Sequence, residues 1–131
     1  MRKSYFDASA IVKLGIPERE SQDLIDYLSQ QQFWAVTSVV ADVEVRQTLQ
    51  RLKSLGANTE EHVRGFFLIE LAKDIRDRAI LLGAKLRALD AIHLSTAMAL
   101  DDDVDFVTYD ERLATAAREQ GLRVVQPGRH S

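Results

Sequence analysis

The sequence predicts an α/β fold in which a parallel sheet is covered by helices on both faces. Short apolar or aromatic runs, typical of strands, alternate with longer segments whose apolar residues recur at helical spacing. No linker or internal repeat divides the 131 residues, which is a typical length for one domain. Because strands that alternate with helices favour a parallel sheet between two helical layers, we expect a single domain over residues 1–131.

The first elements surround an aspartate. Residues 4–6, "SYF", are short and aromatic like an opening strand, and the apolar run "SAIVKLGI" that follows Asp7 is broken by Pro17. In residues 18–31 the apolar side chains are at helical spacing, and acids lie early in the segment, which predicts a helix.

A second strand–helix pair follows. Residues 33–38, "FWAVTS", predict a strand, and Thr37 and Ser38 at its end are good N-cap residues. From Val39 the apolar residues form one helical stripe, which Gly56 would end.

The second half of the chain predicts three strands and three helices. In chain order these are a strand at 66–71, helices at 73–86 and 87–100, a strand at 105–110, a helix at 111–121 and a strand at 122–127. The helix at 87–100 is apolar on most faces and is therefore expected to be buried.

Composition excludes several classes of protein. The formal net charge of −3 argues against a protein that coats nucleic acid through bulk charge. The chain has no cysteine, which excludes disulfides and thiolate metal sites and suits the cytoplasm. No apolar run approaches the ~20 residues that span a membrane, so no membrane partner is expected.

Four acids lie at or near the junctions between predicted elements. Asp7 and Asp110 end strands, and ligands of parallel sheets bind beyond such strand ends. Glu44 lies in the helix after the second strand, and Asp90 lies near the start of the buried helix. No lysine or arginine adjoins Asp7, Asp90 or Asp110 in the sequence, so the four carboxylates would repel one another unless a cation intervenes.

A hard divalent cation would resolve this repulsion. Mg²⁺ and Mn²⁺ prefer oxygen ligands and commonly bridge to phosphates, and such a metal activates water for phosphodiester cleavage. Each acid alone has a simpler explanation, because an aspartate at a helix start caps the helix or interacts favourably with its dipole. Four acids in apolar segments on one predicted rim favour the metal site.

Four motifs in order resemble the PIN-domain family, and within it the VapC-type toxins of toxin–antitoxin pairs. The motifs are "YFDASAIVKL", "TSVVADVEVRQTL", "LRALDAIHLSTAM" and "FVTYDERLATAA", and the resemblance covers essentially the whole chain. It implies a three-layer α/β/α sandwich with a five-stranded parallel sheet, and an endoribonuclease that depends on Mg²⁺ or Mn²⁺. It also implies a homodimer and a cognate VapB-like antitoxin.

The resemblance assigns roles residue by residue. Asp7, Glu44, Asp90 and Asp110 match the acidic metal-site positions, and Ser9 and Thr108 match accompanying hydroxyl positions. Phosphate binding needs cations, and those near the four acids in sequence are Lys13, Arg46, Arg87 and Arg112. His93, three residues after Asp90, could act as a ligand or general base, but a core or buried polar role is the favoured interpretation.

Two other classes stay open. A non-catalytic module could keep the fold and bind RNA or protein without cutting. A phosphoacceptor receiver domain also has five strands with acids at their ends, but the run "FFLIEL" ends without its aspartate and "LRVVQP" lacks its lysine.

Overall fold

A five-stranded sheet organises the structure, which is a computed structural model that describes residues 2–30, 32–52, 65–83, 86–100 and 103–129. The elements are β1 (Arg2–Phe6), α1 (Ala8–Gly15), α2 (Ser21–Ser29), β2 (Phe33–Ser38), α3 (Val39–Arg51), β3 (Phe67–Ile69), α4 (Lys73–Leu82), α5 (Ala88–Met98), β4 (Val104–Val107), α6 (Glu111–Glu119) and β5 (Arg123–Val125). None of the helices in these ranges is both long and apolar enough to cross a membrane.

The strands are parallel and lie in the order β3-β2-β1-β4-β5. The chain therefore winds outward in one direction from β1 to β3, and in the other from β4 to β5. This order excludes the receiver domain, because that class has the doubly wound order 2-1-3-4-5. The change of direction between β1 and β4 is a topological switch point, where ligands of such sheets bind.

Two hydrophobic clusters pack on opposite faces of the sheet, because side chains alternate along a strand. Tyr5 and Phe106 belong to one cluster, and their successors Phe6 and Val107 belong to the other. Helices α1, α2 and α3 cover the Phe6 face, and α5 and α6 cover the Tyr5 face. The predicted three-layer sandwich is confirmed.

The strand and helix limits differ from the predicted ones where pairing ends. The predicted strand at 66–71 is only Phe67–Ile69, since its last partner is Ser38, after which the neighbouring chain turns into α3. Ser38 caps α3 as predicted, and its Oγ accepts a hydrogen bond from the Ala41 N–H at 2.8 Å. Gly56, the predicted end of that helix, lies outside the described residues.

Candidate active site

The candidate site begins where β1 and β4 end side by side. Phe6 is in register with Val107, and the N–H of Asp7 donates to the carbonyl of Val107 at 3.1 Å. Asp7 and residues 108–110 therefore leave the sheet together at the switch point. The rule that parallel strands carry ligands beyond their carboxyl ends correctly places Asp7 and Asp110 on one rim.

Asp7 is a buried carboxylate held by uncharged donors. Its Oδ1 accepts from the Ser9 hydroxyl at 2.7 Å and from the N–H of Ala10 at 3.0 Å, and its Oδ2 accepts from Thr108 at 2.5 Å. Asp7 is only 3% exposed and forms no ion pair with any residue in the described ranges. Burial raises the pKa of its carboxyl, because removal from water disfavours the charged form.

Asp110 continues the site from the β4 side. Its Oδ1 caps α6 by accepting from the N–H groups of Arg112 and Leu113 at 2.9 and 3.1 Å. Thr108 joins the two aspartates, since its hydroxyl donates to Asp7 and accepts from the Asp110 N–H at 3.1 Å. Capping and site formation thus coexist at both aspartates and are not alternatives.

Asp90 was expected near a strand–helix junction, but the structure places it in the first turn of α5. It follows another helix, α4, and not a strand, so it does not mark a strand–helix junction. Although no cation adjoins Asp90 in the sequence, Arg87 lies one turn before it and pairs with it, with Nε 3.3 Å from Asp90 Oδ2. The same guanidinium has Nη2 3.6 Å from Asp110 Oδ2. Arg87 therefore connects Asp90 to Asp110.

Glu44 is held by a residue that the sequence did not single out for function. His93 Nε2 lies 2.7 Å from Glu44 Oε1, and His93 Nδ1 lies 2.7 Å from the hydroxyl of Tyr5. His93 is 2% exposed, which agrees with its interpretation as a buried polar residue. The spacing of His93 from Asp90 was the available signal, whereas nothing in the sequence indicated that it meets Glu44.

The donor set fits a hydrated hard cation better than a bare one. Within the described ranges, no three His, Cys, Asp or Glu side chains are close enough to hold a metal ion. The four acids nevertheless offer only oxygen atoms, and buried Asp7 lacks a cationic partner among the described residues. Mg²⁺ keeps several waters and needs few direct carboxylates, so these residues fit it when waters complete its shell.

The four predicted phosphate-binding cations have different surroundings. Lys13 is buried and pairs with Glu18 at 2.7 Å and Glu20 at 3.0 Å. Arg46 pairs with Asp42 one turn before it. Arg112 is exposed in the first turn of α6, and Arg87 lies between two site acids. The structure thus brings Arg87 and Arg112 to the rim, whereas the charge of Lys13 is balanced by glutamates.

A groove opens beside the acids. It has a volume of about 380 Å³, and its lining includes Ser9 and Glu44 from the site as well as Lys13, Tyr109 and Arg129. Arg129 stacks over the Tyr109 ring, 5.1 Å from its centroid, and pairs with Glu20. The groove is therefore continuous with the acidic rim and bordered by cations on its far side.

Comparisons with known proteins show the family and agree with the fold. The PIN domain family model matches residues 4–119. Ribonuclease VapC46 of Mycobacterium tuberculosis is 38% identical over 97% of this chain and 99% of its own length. Ribonuclease VapC47 of the same species is 34% identical over 95% of this chain and 96% of its own.

Solved structures share the fold at lower identity. A toxin–antitoxin complex from Klebsiella pneumoniae contains a chain that matches with a TM-score of 0.69 and 21% identity, covering 94% of this chain and 96% of that one. VapBC2 from Rickettsia felis, bound to a promoter DNA fragment, matches with a TM-score of 0.67 and 12% identity, covering 95% and 98%.

Proposed function

The chain belongs to the PIN-domain family, and from that premise we propose that it is an endoribonuclease that depends on Mg²⁺ or Mn²⁺. The observation that carries this proposal is the environment of Asp7, a buried carboxylate at the switch point with no cationic partner in the described part of the chain. A buried charge is costly unless it is paired, and a divalent cation at the rim would pair it.

Each acid has a proposed task. Asp7, Asp90 and Asp110 would hold the metal directly or through water. Glu44 would complete the shell, help to bind a second metal or orient the attacking water. When bound, the metal would activate water, orient the phosphate and stabilise the leaving oxygen. Ser9 and Thr108 hold the Asp7 carboxylate in one orientation by donating to its two oxygens.

RNA is the proposed substrate. The groove beside Glu44 and Ser9 offers room for nucleotides next to the cleaved bond. Arg87 and Arg112 at the rim, with Arg46 on α3, are the proposed contacts to phosphates. Lys13 is a weaker candidate because two glutamates already neutralise it.

We further propose that the protein is the toxin of a toxin–antitoxin pair. Its relatives include ribonucleases named VapC, and its structural neighbours include toxin–antitoxin complexes. A VapB-like antitoxin, a homodimer of one-domain chains and a location in the cytoplasm follow from this proposal.

Cleavage of single-stranded RNA by the purified protein tests the nuclease. We expect cleavage with Mg²⁺ or Mn²⁺, none in EDTA, and none by the Asp7→Asn variant with either metal. Induced expression should arrest growth, and Asp7→Asn should relieve the arrest. Cleavage by Asp7→Asn at the wild-type rate would show the mechanism to be wrong.

A non-catalytic RNA- or protein-binding module is the second candidate. It is favoured by the lack of a ready-made metal-binding group among the described side chains. Such a module would bind RNA or protein with equal affinity in EDTA and in Mn²⁺, and it would leave RNA intact in both.

A further inference from the structure

A buried chain of three side chains joins the sheet to Glu44. Tyr5 on β1 is fully buried, and its hydroxyl lies 2.7 Å from Nδ1 of His93 on α5. The other ring nitrogen, Nε2, lies 2.7 Å from Oε1 of Glu44 on α3. The three residues come from three elements, and α3 and α5 lie on opposite faces of the sheet. These hydrogen bonds therefore link the two helical layers at Glu44.

The direction of these hydrogen bonds follows from what each group can do. An ionised carboxylate only accepts, so His93 Nε2 must carry the hydrogen toward Glu44. The fully buried Tyr5 hydroxyl can donate to Nδ1 when the ring hydrogen is on Nε2. The two contacts are thus satisfied together by the ring tautomer with its hydrogen on Nε2, which accepts from Tyr5 and donates to Glu44.

Glu44 needs such support. Its side chain is about a quarter exposed, and a long unsupported glutamate samples several rotamers. His93 is almost completely buried, and its ring packs edge-on against Tyr5 with centroids 5.9 Å apart. A rigid ring that donates to one oxygen of Glu44 restricts the carboxylate to one direction.

We propose that His93 is a positioning residue that holds the Glu44 carboxylate at the rim, and that Tyr5 fixes the His93 ring for this task. The inference rests on the proposed function, because it gives Glu44 a place among the metal-site acids. Replacing a residue that orients the carboxylates or histidines of a metal site commonly lowers metal affinity or activity by about 10- to 100-fold.

Three variants and a matched control test this inference. His93→Leu removes both hydrogen bonds, His93→Gln keeps an N–H near the position of Nε2, and Tyr5→Phe removes one oxygen. Ser95→Ala is the control, because Ser95 is buried on the same helix and donates to the Ile75 carbonyl at 2.6 Å, away from the site. Thermal melts will show which variants are folded.

The measurements are Mn²⁺ affinity by calorimetry without RNA, kcat and KM for RNA cleavage, and the ring ¹⁵N shifts of His93. We expect His93→Leu to lose about tenfold in Mn²⁺ affinity or more, and to lose kcat more than KM changes. His93→Gln should recover part of both losses, and Tyr5→Phe should cost less than His93→Leu. Ser95→Ala should keep the wild-type affinity and kcat.

The outcomes separate this inference from the proposed function. If the wild type binds Mn²⁺ and cuts RNA while folded His93→Leu and His93→Gln do so equally well, the positioning role is wrong and the nuclease stands. If Ser95→Ala loses as much as His93→Leu, the effect is general destabilisation and the role is again wrong. A wild type that neither binds Mn²⁺ nor cuts RNA overturns both.

Discussion

Arg87 is the cation that Asp90 and Asp110 share, with its guanidinium nitrogens 3.3 Å from the first carboxylate and 3.6 Å from the second. Its guanidinium therefore carries the positive charge that lies between these two acids. The Arg87 side chain is 69% exposed, so it can move away without breaking packed structure. We expect it to neutralise the acids when no metal is bound and to contact phosphate when one is.

Replacing Arg87 by Gln should therefore affect metal and RNA in opposite directions. Exposed ion pairs contribute at most about 1 kcal/mol, so Mn²⁺ affinity should rise by no more than roughly fivefold. RNA cleavage should fall, because a phosphate contact is lost. Calorimetry and cleavage assays check this, with Arg78→Gln on the exposed side of α4 as the control. Weaker Mn²⁺ binding by Arg87→Gln would contradict the shared-cation role.

In the Asp7→Asn variant, the free energy of unfolding should no longer depend on Mn²⁺. The asparagine oxygen can still accept from Ser9 and Ala10, while its NH2 group would donate to the Thr108 hydroxyl in place of accepting from it. Because the buried charge is removed, stability in EDTA should be equal to or greater than that of the wild type. A ligand at 100 times its Kd stabilises the protein that binds it by about 2.7 kcal/mol. Urea denaturation with and without Mn²⁺ should show this gain in the wild type and in Asp26→Asn on α2, and not in Asp7→Asn. If Mn²⁺ stabilises Asp7→Asn as much as it stabilises the wild type, Asp7 does not belong to the metal site.

Ser38→Ala tests the cap of the helix that carries Glu44. Loss of the bond from the Ala41 N–H should lower the free energy of unfolding by about 1 kcal/mol. Thr115→Ala is a suitable comparison, since Thr115 is exposed and its hydroxyl donates to the Glu111 carbonyl within α6 and is not a cap. Its effect should be within about 0.5 kcal/mol of zero. Equal losses in the two variants would mean that the Ser38 cap contributes nothing of its own.

Glu20 should make stability depend on pH in the acid range. Hydrogen bonds from Lys13 and Arg129 lower the pKa of its carboxyl to about 2, from an ordinary value of 4.5. A lowered pKa stabilises the fold above the ordinary value, and this contribution is lost as the pH falls toward the folded value. Glu20→Gln should therefore be less stable than the wild type at pH 7, and the difference should close between about pH 4.5 and 2.

Denaturation curves at several pH values measure that difference. Exposed Glu119, replaced by Gln, serves as the reference for a carboxyl on α6 outside this cluster. A gap between wild type and Glu20→Gln that is as wide at pH 2.5 as at pH 7 would rule out the ion pairs as its cause.

The rim positions of Asp7 and Asp110 could be predicted from sequence, because residues that follow a strand lie on the ligand-binding rim of a parallel sheet. The prediction that Asp110 itself ends a strand was wrong, since β4 ends at Val107 and Asp110 caps α6. The pairing of Arg87 with Asp90 was also within reach, since residues three apart share a helix face. The contact of Arg87 with Asp110 depends on how α5 lies against β4. The packing angle of a helix cannot be predicted from the spacing of its residues in the sequence.

The contact between Glu44 and His93 was beyond sequence reasoning for a similar reason. The two residues are 49 positions apart, on helices from opposite layers of the sandwich. Their meeting depends on the shape of the sheet edge between them. Lys13 shows the converse case, because its place on α1 suggested a phosphate contact, whereas Glu18 and Glu20 fold back onto it.

The central strand β1 is synthesised before its neighbour β4, because it precedes β4 in the sequence. The hydrogen bond between Thr108 and Asp7 spans 101 positions, so it can form only after β4 has left the ribosome. Until then, a growing chain would hold Asp7 without Thr108 or Asp110. We therefore expect no cleavage of the messenger by a growing chain in which β4 has not yet been synthesised and paired with β1.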